Sequence, residues 1–275
     1  LAGKVSPEDL QVTDADGISH RDALVAFGCD PDEVPALARD PLGLLGFIEI
    51  HIEQGMVLEQ ERLPVGIATA ISGCELFRVR LEGRPGHAGT QPMHVRRDAL
   101  AAAAEMIVAV EGMGRDSPGL VTTVGNINVR PNIANTVPDM AEFTVDMRSA
   151  VEGTRRNARR EIERTIRTIA RRRGLSVDIA AISNEKAASC DQRLIRHLAE
   201  SVEHVGVTPF MLPSGARHEG LALGKICPIG MLLVRNASPT GPGRDEAVRP
   251  EDIDIVTRAM IRFLETFPTI ERNSN

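Results

Sequence analysis

Between Leu76 and Ile182 the apolar residues change period from two to that of a helix and back again, in an order that few folds can satisfy. Phe77, Val79 and Leu81 alternate with Arg78, Arg80 and Glu82, which predicts a half-buried strand. His94 to Met113 follows as a helix, with an apolar face expected on Val95, Leu100, Ala103, Ile107 and Val110. Leu120 to Val129 and Met140 to Arg148 read as two strands joined by a turn rich in Pro and Asn. Thr154 to Arg173 is a second helix, turned inward on Ile162, Ile166 and Ile169, and Leu175 to Ile182 is a last strand. The order β-α-β-β-α-β is the split arrangement of ferredoxin-like domains, in which both helices cover one face of a four-stranded sheet.

On either side the pattern is different. A helix is expected over residues 20–28, a buried strand from Gly46 to Ile52, and a Gly- and Ala-rich crossing connection from Pro64 to Ser72. After residue 186 come a helix (Leu194 to Val205), two strands (Pro209 to Leu212 and Ile226 to Val234) and a helix (Pro250 to Leu264). The second of these strands is apolar almost throughout, as in a sheet buried on both faces. The expected fold class is therefore α/β. Residues 1–73 and 185–275 are expected to form one mixed α/β domain, into which 74–184 is inserted as a ferredoxin-like domain.

The chain's 275 residues, 42% hydrophobic and 25% charged, suffice for a real core, and with seven Phe and no Trp or Tyr that core is aliphatic. The second helix of the inserted domain carries nine Arg against two Glu, but a formal charge of −6 and the lack of interleaved aromatics argue against a nucleic-acid surface. Cys29, Cys74, Cys190 and Cys227 are scattered without a CxxC pair, which suits reduced thiols. No apolar run is long enough to span a membrane, no signal-peptide pattern opens the chain, and cytoplasm is the default expectation. The chain begins Leu1-Ala2-Gly3 and enters directly into Pro7-Glu8-Asp9-Leu10, which leads to the expectation of an N-terminally truncated chain.

Three strings carry the chemistry. Phe47-Ile48-Glu49-Ile50-His51-Ile52-Glu53-Gln54-Gly55 places an imidazole at a strand end, a costly choice unless the ring has a partner. Gly86-His87-Ala88-Gly89-Thr90 places a second histidine in a turn with glycine on both sides, ahead of Pro92-Met93 and Arg97-Asp98-Ala99-Leu100. Pro131-Asn132-Ile133-Ala134-Asn135-Thr136-Val137-Pro138 and Asp146-Met147-Arg148 supply an asparagine and an arginine. Read alone, each has a plain structural explanation: a core histidine, a loop histidine that caps a helix, and a hairpin turn with an edge salt bridge from Arg148 to Asp146.

Taken together, these strings resemble the amidohydrolase branch of the M20 metallopeptidase-like family, which contains N-carbamoyl-L-amino acid hydrolases, allantoate amidohydrolases and β-ureidopropionases. The resemblance runs along essentially the whole chain. It implies that His51 ligates one of two divalent metal ions (Zn, Mn or Co) and that Gln54 contacts substrate. It implies that Asn135 and Arg148 bind the carboxylate of a small-molecule substrate, a task suited to the planar fork of Arg. His87 is implied to reach the partner subunit's site in a homodimer formed through the inserted domain, and there to stabilise the oxyanion. Ser214-Gly215-Ala216-Arg217-His218-Glu219 resembles the family's Ser-Gly-Ala-Gly-His-Asp block, so His218 is a further substrate-binding candidate, with Arg217 and Glu219 in place of Gly and Asp. Where the family has its last metal-binding histidine this chain has Pro242, and of the family's metal ligands only His51 remains.

The expected function is therefore metal-dependent hydrolysis of a C–N bond in a small N-carbamoyl or ureido acid, impaired in this chain for want of ligands. Two alternatives stand beside it: an inactive fragment or pseudoenzyme that serves dimerisation or ligand binding, and an M20 aminoacylase or dipeptidase. Neither a nucleic acid nor a membrane is an expected partner.

Overall fold

The computed structural model describes residues 1–237 and 246–268. In chain order the elements begin with α1 (His20–Ala26), β1 (Phe47–Ile52), α2 (Val57–Glu61), β2 (Val65–Ile71), β3 (Gly73–Glu82) and β4 (Gly86–His87). Next come α3 (Ala99–Asp116), β5 (Leu120–Arg130), β6 (Thr136–Val137), β7 (Met140–Ser149), α4 (Glu152–Arg172) and β8 (Ser176–Glu185). The remainder are β9 (Ala188–Ser189), α5 (Gln192–His204), β10 (Met211–Ser214), α6 (Gly220–Leu223), β11 (Ile229–Val234) and α7 (Pro250–Thr266). The chain divides into two compact units. One comprises residues 1–69, 190–211 and 218–275, and the other residues 70–189 and 212–217.

In the second unit the strand order is β5-β7-β3-β8. β3 pairs antiparallel with β7 from Gly73↔Ser149 to Glu82↔Met140, and on its other side with β8, with a register shift between Leu76 and Phe77. With α3 and α4 this is the ferredoxin-like order and topology expected from the sequence. The alternation works as the pattern implies. Phe77, Val79 and Leu81 are fully buried against Met106, Phe143, Val145, Ile162 and Ile166. Arg78 on the opposite face lies 3.7 Å from both Glu142 and Asp178, the cross-strand charge pairing of a solvated sheet face.

α3 departs from expectation. Met93–Val95 form a 3-10 turn, and the α-helix starts only at Ala99, where the Asp98 carboxylate accepts the Ala101 N–H. The later start changes which face is buried: Ala99, Ala102, Ala103, Met106 and Val110 turn inward, while Val95 and Leu100 are exposed. The three alanines let the start of the helix approach the sheet closely, and Met106 and Val110 fill the space further along.

α4 explains its own charge. Arg155 is buried and pairs with Glu75 and Glu152. Arg159 bonds Glu75 and Glu163 and lies 4.2 Å over the Phe77 ring. Arg164 and Arg167 pair with Glu161 and Glu163, and Arg172 and Arg173 with Glu105. Most of the arginines are thus neutralised within the unit.

In the first unit β1 runs parallel to β11, which pairs antiparallel with β2, in the order β1-β11-β2. β11 is buried along its whole length, as its apolar sequence implies, and it carries α5 and α7. Two expectations are corrected here. β1 is the end strand of this order and only partly buried, with Ile50 42% exposed, so it is not an interior strand. Residues 65–71, expected as a connection, form the buried strand β2; Gly66, Ala68 and Ala70 fit there because packing against neighbours outweighs weak strand propensity. β10 begins at Met211 rather than at Pro209.

Residues 1–45 bury little beyond Ser19 and Pro31. They are held by local devices. Ser19 and Asp22 form a capping box on α1, Asp30 and Asp40 cap 3-10 turns, and Arg21 bonds Asp32 through two parallel hydrogen bonds. No helix among the described residues is long and apolar enough to cross a membrane, and all four cysteines are unpaired.

Candidate active site

In the first unit the string after β1 resolves residue by residue. His51 Nδ1 lies 2.7 Å from the Ile52 carbonyl oxygen, which can only accept. The proton therefore sits on Nδ1, and Nε2 keeps its lone pair, the tautomer of a metal-ligating imidazole. Glu53 is buried, and its two carboxylate oxygens accept the N–H groups of Val57 and Leu58, capping α2. Gly55 is required by that cap, because a Cβ there would lie 2.7 Å from Glu53 Oε1. Gln54 has a left-handed backbone (φ 55°), and its amide donates to Glu246 at 2.9 Å.

Beside His51 stands His218, its ring edge-on at 4.5 Å, with Nδ1 3.7 Å from Glu49 Oε1. Burial, reinforced by the neighbouring His51, pushes the His218 pKa down to about 4, so the ring is neutral near pH 7. Burial also raises Glu49, to about 7, and its hydrogen bond with Glu219 adds to the shift. Glu219, through the same bond, is held below the usual carboxylate range. The two carboxyls thus share one proton, with Glu49 as its holder. Glu49 also accepts the Gly220 N–H at 3.2 Å. Sequence reasoning did not single out Glu49 or Glu53. The available signals were the two-residue spacing that puts Glu49 on the His51 side of the strand, and the acidic residue just before the first turn of α2.

In the second unit two of the singled-out strings meet. β4 pairs with β6 through Gly86↔Val137 and His87↔Thr136, and the Ala88 N–H donates to the Asn135 carbonyl at 2.8 Å. His87 and Asn135 are thereby fixed side by side, both exposed. The Gly89 N–H donates to His87 Nδ1 at 3.1 Å. A backbone amide can only donate, so neutral His87 carries its proton on Nε2 and offers it outward as a hydrogen-bond donor.

Arg148 forms the expected pair with Asp146, bidentate at 2.8 Å for both bonds, and Nη1 also donates to the Gly215 carbonyl at 2.9 Å. These bonds use three of its five N–H groups and leave one on each terminal nitrogen. The salt bridge therefore orients the fork and does not exhaust it. Cys74 lies behind Asp146 at 3.8 Å, and burial followed by the Asp146 charge pushes its pKa up, which keeps it an inert thiol. Arg217, which replaces a glycine of the family block, is turned onto Glu185 at 2.6 Å.

Among the described residues no group of three or more His, Cys, Asp or Glu side chains could hold a metal ion. His51 has the tautomer of a ligand, but these residues alone do not fit a resident catalytic metal, which needs about three protein ligands. Pro242 lies outside the described residues.

Residues 69–174 match the peptidase dimerisation domain family of the M20 type. An N-carbamoyl-L-amino acid amidohydrolase of Geobacillus stearothermophilus is 38% identical over 86% of this chain and 58% of its own length. An allantoate deiminase of Arabidopsis thaliana is 30% identical over 97% of this chain and 56% of its own length. The crystal structure of a hydantoinase/carbamoylase-family amidase from Burkholderia multivorans superposes with a TM-score of 0.85 at 28% identity, over 96% of this chain and 64% of that one. The chain is a relative of the M20 amidohydrolases. The likeness first drawn from the histidine, asparagine and arginine strings therefore holds, over a chain that spans less than two thirds of the length of these relatives.

Proposed function

We propose that the protein is an amidohydrolase that cleaves a C–N bond in a small N-carbamoyl or ureido acid. The observation that carries this reading is the pairing of two devices in one unit: an imidazole held as an outward Nε2–H donor next to Asn135, and an arginine fork with N–H groups to spare. Arg148 takes the substrate carboxylate with its remaining donors, and Asn135 of the same unit orients the rest of the molecule; Gln54 is the substrate contact of the first unit. His87 donates to the carbonyl oxygen as negative charge develops on it, in the site of a second copy of the chain. His218, neutral and buried, lines the side of the site bounded by His51. Residues 1–69 and 190–211, together with those from 218 onward, serve as the catalytic part, and residues 70–189 serve as the dimerisation part.

The cofactor that goes with this chemistry is a pair of divalent ions, zinc, manganese or cobalt, of which His51 supplies one ligand. Among the described residues no set of three ligands accompanies it, and a single imidazole does not retain such an ion, so the chain is expected to bind it weakly and to turn over poorly. The alternative of an inactive ligand-binding or dimerisation role draws on the same shortage of ligands, and binding data separate it from a site that has lost its substrate altogether.

The test is calorimetric titration of the chain with an N-carbamoyl-L-amino acid and with allantoate. One of them should bind, and Arg148→Ala should weaken that binding by roughly 10- to 100-fold, the cost of a charge-assisted pair. Binding of neither compound, or equal binding by the variant, would sink the reading. In an active protein carrying this sequence, His87→Ala should slow turnover by about 100- to 1000-fold without loss of metal.

A further inference from the structure

The β4–β6 ladder holds His87 on one side, and within the turn itself the Thr90 and Gln91 N–H groups donate to the His87 carbonyl at 3.3 and 3.1 Å. The carbonyls of Ala88 and Gln91 accept instead from the segment that leads into α3. There Arg96, half-buried, spans the turn. Its Nη2 donates to Ala88 O at 2.5 Å and to Gln91 O at 2.9 Å, and its Nε donates to Gln91 O at 3.1 Å. The main chain of Arg96 is fixed in its turn by the 3-10 bend over residues 93–95 and by the capped start of α3 after it. The same helix start donates from Ala99 N to Pro138 O, on the strand side of the Asn135 turn.

We propose that Arg96 is a positioning residue that latches the turn from Ala88 to Gln91, and so fixes the Nε2–H tautomer and direction of His87. The chemistry favours arginine here. A guanidinium stays charged at every working pH and presents its donors in a rigid fork, so it can bridge two carbonyls at a set separation. A lysine ammonium would reach the same oxygens from a flexible stem and hold them less firmly. Opening the latch frees Gly89 to swing away from Nδ1, and the imidazole is then free to take either tautomer. The inference deepens the reading of His87 as an oxyanion donor, yet it can be measured without turnover.

The experiment is solution NMR on the intact chain with 15N-labelled histidine, using a His87→Gln variant to assign the ring signals. Wild-type His87 should show the Nε2-protonated form and a protected Gly89 amide. Arg96→Gln should give a mixture of tautomers and about tenfold faster exchange at Gly89, the amount expected for losing one effective hydrogen bond. Arg96→Lys should fall between the two, and Arg97→Gln, which removes the adjacent exposed charge, should match wild type. If Arg96→Gln does not fold, the Lys variant decides alone: faster Gly89 exchange supports the latch and wild-type exchange overturns it. An Arg96→Gln chain with an unchanged tautomer and unchanged Gly89 exchange removes Arg96 from the role and leaves the function of His87 standing. A working latch in a chain that binds no carbamoyl or ureido acid removes the functional reading and leaves the latch.

Discussion

The ferredoxin-like unit and the first 45 residues of the other unit use opposite means to hold a chain in place. In the former, side chains far apart in sequence meet in one core. Phe77, Phe143, Met106 and Ile162 come from two strands and two helices and are all fully buried. In the latter, Ser19 reaches Asp22, Asp14 reaches Ile18 and Arg21 reaches Asp32, while Phe27 stands 86% exposed. The first arrangement gains its stability from area removed from water. The second gains little from burial and keeps its shape through caps and turns, whose individual worth is small.

The sharpest way to break this contrast is to remove the same side chain from each region. Phe77→Ala should cost about 4 kcal/mol, from lost burial and the cavity left behind, whereas Phe27→Ala should stay within roughly 0.5 kcal/mol. Urea unfolding of both variants tests it, and similar losses would show that the contrast is false. A smaller effect is expected from the buried charges. Arg155→Met leaves Glu75 with only Arg159 for a partner and should cost about 3 kcal/mol, most of which the double variant with Glu75→Leu should recover. Arg21→Ala, at an exposed pair, should leave the midpoint unmoved. If the double variant is no more stable than the single one, the Glu75–Arg155 pair contributes more than mutual compensation.

The smallest effect lies in pH and sharpens the comparison within the first unit. His218 falls from 6.5 to about 4 on folding, so between those values the unfolded chain holds more protons and stability rises with pH. Glu49 rises from 4.5 to about 7, so over that range the folded chain holds more protons and stability falls as pH rises. Where the two windows overlap, their slopes oppose each other. With a chelator present, wild-type stability should be nearly flat between about pH 5 and 6.5. Glu49→Gln should uncover the His218 slope, a gain of up to about 1.4 kcal/mol per pH unit. A steep wild-type curve in that window, or a flat one in the variant, would show that the two groups do not titrate as their surroundings imply.

The sequence was most legible where one period ran unbroken. The alternation at Phe77, Val79 and Leu81 identified β3 and its buried face, because a strand has only two faces to choose from. It was least legible where a local cue competed with a stripe. The apolar spacing that includes Val95 suggests a helix start at His94, five residues too early, and Asp98, the actual cap, sets a different start. β2 reads as a connection because Gly66, Ala68 and Ala70 carry no strand signal of their own; β11, its neighbour in the sheet, supplies the reason for them. At the candidate site, His51, His87, Asn135 and Arg148 stood out as strings. The Glu49–Glu219 carboxyl pair and the bonds from Arg96 arise only when the chain folds back on itself, and no spacing along the sequence announces them.

The two-residue ladder between β4 and β6 also limits how this chain can vary. Side chains on a strand change face at every step, so a single residue inserted between Thr136 and Val137, or between Gly86 and His87, would slip the ladder and turn the imidazole to the far side. Ala88 would at the same time lose the Asn135 carbonyl. The two strands can therefore change length only in concert. Libraries that randomise composition within the ladder at fixed length should yield folded, ordered sites far more often than libraries that add or delete one residue there.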